Sequence, residues 1–256
     1  MAKDHRQKAS PAMMNRREAI AALTSAAALS LVPGCGRESS SSPSSAANPE
    51  ADVIALLDRV AENLLRLQPE GATSLGIDTG ARAAFRSQLG DRSAQGQQRI
   101  ASQVREDLDR LKAVDPSRLT HPTRTSVEVV RSAYATALEG FALPYGDITV
   151  GGWRNTPYVV IQNVGAYLDI PRFLDAEHPI ENASDAEAYL ARLQSYPKQL
   201  DGELGRVQAA RSSGLVAPAY LIDKALEQMR VSVKNTRAGG SLVDSIARRA
   251  KNIPGH

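Results

Sequence analysis

From Val53 onward the apolar residues recur at steps of three and four: Val53, Leu56, Leu57, Val60, Leu64 and Leu67. That spacing places them on one face of a helix, which Pro69 then stops. A polar stretch with Gly71, Gly76 and Gly80 follows, and the same rhythm returns at Ile100, Val104, Leu108 and Leu111, ending at Pro116. Thr125 to Leu143 carries a third pattern, with Val127, Val130, Tyr134, Leu138 and Phe141 facing one way. Ser184-Asp185-Ala186-Glu187 reads as a capping box opening a helix whose stripe is Ala186, Leu190, Leu193, Leu200, Leu204 and Val207. Pro197 is expected to kink that helix and Gly214 to end it. Pro218 starts another, carrying Ile222, Ala225, Leu226, Met229 and Val233, and after Gly239-Gly240 a short helix is expected over Ser241 to Lys251. No long stretch alternates with period two, so the chain is predicted to be all-α, a bundle-like helical arrangement.

One region breaks the pattern. Six of the eleven aromatic residues fall in 141–173 (Phe141, Tyr145, Trp153, Tyr158, Tyr167 and Phe173), interleaved with Pro144, Gly146, Gly151, Gly152, Pro157, Gly165 and Pro171. This reads as an irregular insert with a short strand at 158–161. Its rings either wall a cleft or fill the junction between helix layers.

The first 48 residues carry an address. Asn15-Arg16-Arg17-Glu18 precedes Ala19 to Val32, an apolar run broken only by Thr24, Ser25 and Ser30. As a helix it would cover about 21 Å, short of a bilayer's ~30 Å hydrocarbon core. A basic start, a short apolar middle and a small-residue exit make 1–34 a removable signal, and Arg16 and Arg17 resemble the twin-arginine export motif. The exit, Leu31-Val32-Pro33-Gly34-Cys35, resembles a lipobox, in which the cysteine is acylated and becomes the new N-terminus. The other reading of Cys35 is an incidental thiol in a plain signal. Residues 35–49 are Ser-rich and interrupted by Pro43, a composition suited to a flexible tether. The expected order is signal, acylated Cys35, tether, and a helical domain over 50–256, anchored in the cell envelope or periplasm.

Charge and candidate chemistry narrow the function. The pI is about 9.1, yet the excess is local: residues 1–34 hold five bases against two acids, and the remainder is formally balanced. A nucleic-acid partner is therefore not expected. Cys35 is the only cysteine, so an intramolecular disulfide is excluded. Of the histidines, His5 lies in the signal and His256 is the last residue, while His121 and His178 each precede proline in what reads as a turn. No His-Glu-x-x-His, Gly-x-Ser-x-Gly or phosphate-binding glycine motif occurs. Asp201, Glu203, Asp223 and Glu227 read as solvated helix acids. No catalytic, cofactor or metal residue is assigned, and no cofactor is expected in this chain.

Thr156-Pro157-Tyr158-Val159-Val160, Gly165-Ala166-Tyr167-Leu168-Asp169-Ile170-Pro171, Phe173-Leu174-Asp175 and His178-Pro179-Ile180 together form a further pattern. With Asp185 to Leu193, Asp223-Lys224-Ala225-Leu226 and Ser245 to Arg249, it resembles the bacterial domain-of-unknown-function family 885. The resemblance covers about Asp52 to Pro254. It implies a helical, exported, zinc-metallopeptidase-like protein whose His-Glu-x-x-His helix and acidic ligand lie in a C-terminal half. Zinc is thus expected only for full-length members, and no position here matches a metal ligand or the catalytic glutamate. Two functions follow as expectations. One is an N-terminal portion, truncated or split, that is not catalytic alone and partners a peptide or the other half. The other is a self-sufficient binding or scaffold lipoprotein.

Overall fold

A computed structural model of the chain describes residues 49–151, 155–240, 242–251 and 253. Among them the regular elements are helical: α1 (Pro49–Leu67), α2 (Glu70–Ser74), α3 (Ala94–Lys112), α4 (His121–Phe141), α5 (Ala166–Ala176), α6 (Ala183–Ser212), α7 (Ala219–Arg237) and α8 (Leu242–Ala250). Short 3-10 segments, Gly80–Ser87 and Pro116–Arg118, lie between them. The fold class is all-α.

Two apolar clusters organise these helices. The first joins Val53, Leu56 and Val60 of α1 to Ile100, Val104, Leu108 and Leu111 of α3 and to Val127 and Tyr134 of α4. These are the three- and four-spaced stripes of the sequence, and burying them drives the three helices together. Ser93 caps α3, its hydroxyl accepting from the Gly96 N–H at 3.1 Å. Asp107, fully buried on α3, accepts from Asn63 of α1 at 3.0 Å and from Arg110 at 2.9 Å, so its charge is compensated. The second cluster joins Ala166, Ile170, Phe173 and Leu174 of α5 to Tyr189 of α6 and Leu242 of α8.

Several expectations change. The region expected to be a plain polar stretch holds α2 and the first 3-10 segment. His121 is not in a turn: it is the first residue of α4, where Pro122 is tolerated because the first-turn N–H groups have no intrahelical partner. The irregular insert ends at Gly165, not at residue 173. Gly165 has φ +132°, a conformation glycine adopts freely, and α5 starts directly after it and runs through Pro171. The strand expected at 158–161 is reduced to a single bridge between Ile161 and Val164, with another between Asp147 and Thr156. Of the rings described, Tyr167 and Phe173 are buried while Tyr145 is exposed; Trp153 lies outside the described residues. The cap of α6 is Asn182, whose Oδ1 accepts from the Asp185 N–H at 3.0 Å; Ser184 is exposed inside the first turn. Gly214, φ +83°, does end α6, with the Leu215 N–H returning to the Ala210 carbonyl at 2.9 Å.

Candidate functional site

Helix α6 follows its sequence stripe only in part. Leu193 and Leu200 pack against the second apolar cluster beside buried Tyr189, whereas Leu190 and Leu204 are exposed, and the buried side also carries Asp185, Arg192, Gln199 and Arg206, spaced by seven, with Glu203 beside them. Seven residues are close to two helical turns, so these side chains form one polar spine along the helix.

Gln199, Glu203 and Arg206 converge on Arg92, while Asp185 and Arg192 reach the first 3-10 segment. Asp185 accepts from Arg86 at 2.5 Å and from the Glu181 N–H at 2.9 Å. Gln199 accepts from the Arg92 N–H at 3.0 Å. Glu203 accepts from Arg92 at 3.0 Å and from the Ala166 N–H at 2.7 Å, closing the N-terminus of α5 with a negative charge. Burial pushes the Glu203 carboxyl up, against the pull of Arg92. Arg206 donates to the Gly146 carbonyl and to Asp147, both at 2.8 Å, pinning the start of the insert.

Arg192 is the hub. It is fully buried and donates from Nε to the Gln88 carbonyl at 2.9 Å, and from Nη2 to Thr73 at 2.7 Å and the Phe85 carbonyl at 2.9 Å. Its Nη1 lies 2.7 Å from Nδ1 of His178, and its guanidinium sits 4.7 Å over the Phe173 ring. Burial pushes Arg192 down to about 10. Thr73 passes the interaction on, donating to Asp78 at 2.8 Å, and Asp78 is held by Arg86 at 2.8 Å. Burial raises the Asp78 carboxyl, but the hydrogen bonds from Arg86 and Thr73 outweigh it and hold it below the ordinary range. Two arginines and two aspartates thus balance in the interior.

His178 is a structural ring. Because Arg192 donates to Nδ1, the ring proton sits on Nε2 and is given to the Asp185 carbonyl at 2.9 Å. Burial, with Arg192 and Arg249 nearby, lowers its pKa to about 4, so it is neutral at ordinary pH. The expectation of a residue bonding local backbone holds. Glu203 departs from its expectation, being buried and paired, whereas Asp201, Asp223 and Glu227 are exposed. The family resemblance implies zinc for full-length members only, and no residue of this chain matches one of its ligands. Both nitrogens of His178 are engaged, and His121 is exposed at a helix start. Among the described residues, no three His, Cys, Asp or Glu side chains converge to hold a metal ion. Arg16, Arg17, Cys35, His5 and His256 lie outside the described residues.

Beside the spine opens a cleft of about 720 Å³, within the range of small-molecule sites. Leu64, Leu67, Ile100, Ile170 and Phe173 supply apolar lining; Glu70, Asp91, Asp147, Asp169 and Glu177 supply carboxylates, with Arg92 and Arg172. The carboxylates are already engaged. Glu70 accepts from the Gly90 N–H at 2.9 Å, Asp147 is paired with Arg206, Asp169 with Arg92 at 3.2 Å, Asp91 with Arg99, and Glu177 accepts from Ser74. Burial raises Asp91, but hydrogen bonds from Ser93 outweigh it and hold it low, the opposite of what a general base needs. This geometry offers shape and charge for binding. Of the described rings expected either to wall a cleft or to fill the helix junction, only Phe173 of α5 lines it, and that ring also belongs to the second apolar cluster; the insert contributes Asp147, Ile148 and Thr149. The polar spine was missed because periodicity was read from apolar residues alone; the seven-residue spacing of Asp185, Arg192, Gln199 and Arg206 is the signal that could have found it.

The family model described as "Bacterial protein of unknown function (DUF885)" matches residues 69–254. No curated protein matches the sequence significantly. Among solved structures, one described as "the putative lipoprotein from Colwellia psychrerythraea" superposes with a TM-score of 0.67 at 15% identity. The match covers 82% of this chain and 36% of that chain, and at this identity it bears on the fold alone. The chain therefore spans little more than a third of that protein's length.

Proposed function

The chain belongs to the bacterial family DUF885, of unknown function, and from that premise we propose that it is an exported lipoprotein. Acyl groups on Cys35 hold it at the envelope membrane, and residues 50–256 form a helical binding or scaffolding body without a complete catalytic centre. The observation that carries this reading is the order of segments. Arg16-Arg17, the apolar run 19–32, Gly34-Cys35 and a Ser-rich stretch stand directly before α1. Two acyl chains on the thioether plus an amide-linked third make a firm anchor, where one chain binds only marginally. The word lipoprotein in the description of the Colwellia psychrerythraea protein agrees with this assignment. Among the described residues no helix is long and apolar enough to cross a membrane.

The resemblance to zinc metallopeptidases bears on the body differently. Hydrolysis of that kind needs zinc-activated water and a glutamate base; the buried Glu203 is paired with Arg92, and both ring nitrogens of His178 are engaged. The body is accordingly a partner or wall for chemistry performed elsewhere, with a peptide or a second protein segment as its ligand. One observation favours the alternative, a self-sufficient scaffold: the spine satisfies its own charges, so the body holds itself together.

Cell fractionation tests the export reading. Wild-type chain should partition with membranes, Cys35→Ala should appear soluble or as unprocessed precursor, and Arg16→Lys/Arg17→Lys should stay in the cytoplasm. Membrane partitioning unchanged in Cys35→Ala would overturn the lipid anchor. Sedimentation and a melting curve separate the two body readings: self-association favours a part needing cover, and a cooperatively melting monomer favours the scaffold.

A further inference from the structure

Helix α7 is the least covered long element of the body. Of its nineteen residues only Ala225 is buried, and its described side-chain tie to the body is Tyr167 donating to Gln228 at 2.7 Å. Ile222, Leu226, Met229 and Val233 fall at steps of four, three and four, an apolar seam about 16 Å long. Leu226 is 40% exposed and Val233 50%, although their spacing is that of a helix–helix contact. One position further on, the same steps carry Asp223, Glu227, Arg230, Lys234 and Arg237, all exposed. These five form a stripe beside the seam, about 100° round the helix. The acids come first and the bases follow, and none of the five has an ion-pair partner among the described residues.

We propose that α7 pairs antiparallel with α7 of a second copy of this chain. The two-fold axis of such a pair stands perpendicular to both helices, so each charged stripe lies beside its own copy, reversed. With Leu226 level with the partner's Met229, and Ile222 with the partner's Val233, the two seams interdigitate. In that register the partner's Arg230 comes level with the midpoint between Asp223 and Glu227, about 3 Å along the axis from each. Acid therefore meets base twice, once for each copy. Asp223 and Arg230 flank the seam most closely, while Glu227 and Lys234 stand farther round the helix, away from the contact. Other occupants match this stripe less well. A uniformly acidic or uniformly basic helix meets like charge along part of it, and an anionic bilayer faces Asp223 and Glu227. A parallel second copy sets the stripe against the opposite flank, where Ala225 is buried. The seam spans about three turns, which places the contact among weak interfaces of less than about 1,200 Å².

The test is sedimentation velocity of the full chain across a wide concentration range. The wild-type chain should pass from monomer to dimer as concentration rises. Asp223→Arg and Arg230→Asp should each weaken dimerisation at least tenfold, because like charges then meet at both ends of the seam. An equimolar mixture of the two variants should dimerise as well as wild type, since each carries the complement of the other, and Leu226→Gln/Val233→Gln should stay monomeric. These side chains are exposed, so ellipticity and melting of the monomers should stay unchanged, which keeps loss of association distinct from loss of fold. Self-association of a body that merely needs cover is indifferent to the sign of residues 223 and 230, so the swap separates the two causes. A wild-type chain that stays monomeric throughout would overturn the proposal. So would a dimer that tolerates both charge reversals, or a mixture that fails to recombine.

Discussion

Replacing Arg192 with methionine keeps most of the side chain's length and removes its guanidinium. Four hydrogen bonds from a charged donor are then lost, to the Phe85 carbonyl, the Gln88 carbonyl, Thr73 and Nδ1 of His178. The Phe85 carbonyl keeps the Gln88 N–H at 3.1 Å and Thr73 keeps its bond to Asp78, so the low end of the range for a charge-assisted bond, about 1.5 kcal/mol each, applies. With the stacking on Phe173, worth roughly 1 kcal/mol, the loss is about 7 kcal/mol. Against this stands relief of burying the cation. Burial lowers the pKa of Arg192 from 12.5 to about 10, which corresponds to about 3 kcal/mol. The balance is a destabilisation of about 4 kcal/mol, a large share of the 5–15 kcal/mol typical of a folded domain. In urea denaturation followed by far-UV ellipticity, a slope of about 2 kcal/mol per M turns that into a midpoint lowered by about 2 M. Arg192→Lys, which supplies donors without the planar fork, should fall between. A midpoint shift below about 0.5 M for Arg192→Met at unchanged slope would refute the hub assignment.

Further outcomes follow from the same interior. His178 takes its proton near pH 4 when folded and near 6.5 when unfolded; the unfolded chain therefore binds more protons between those values. Stability should be complete above about pH 6.5 and decline by roughly 3 kcal/mol as pH falls to about 4; in His178→Gln that decline should flatten, and an unchanged urea-midpoint profile would contradict the assignment. Two glycines of α6 should respond oppositely to alanine. A Cβ at Gly202 would lie 2.8 Å from the Ser93 nitrogen, so Gly202→Ala should lower stability by about 1–3 kcal/mol. Gly205 has open space, so Gly205→Ala should raise it by up to about 1 kcal/mol; melting temperatures that move the same way would refute the packing of α6 on the start of α3.

The contrast between α1, α3 and α4 and the α6 region explains how far the sequence could be read. In the first three helices the buried side is apolar, so the step of three and four in Val53 to Leu67 or Ile100 to Leu111 reports the core directly. On α6 the buried side sets paired charges beside the apolar Tyr189, and Arg192 or Glu203 looks like any surface residue until its partner, more than a hundred positions distant in the chain, is in place. Leu190 and Leu204, which the apolar pattern turned inward, lie outward for the same reason. The start of α5 was hidden by Gly165 and Pro171, which read as loop residues, because the carboxylate that closes that helix comes from Glu203, 37 residues downstream. The cluster of rings and glycines did not locate the cleft: of the described rings only Phe173 lines it. Its charged lining is assembled from α2, the start of α3, the insert and α5, an assembly that no local pattern records.

Export and acylation at Cys35 are tested most directly by mass spectrometry of the protein purified from membranes in detergent. The expected mature chain has Cys35 as its N-terminal residue, carrying a diacylglyceryl thioether on Sγ, with residues 1–34 absent. A chain that retains its first 34 residues, or one cleaved elsewhere with Cys35 as a free thiol, would contradict it.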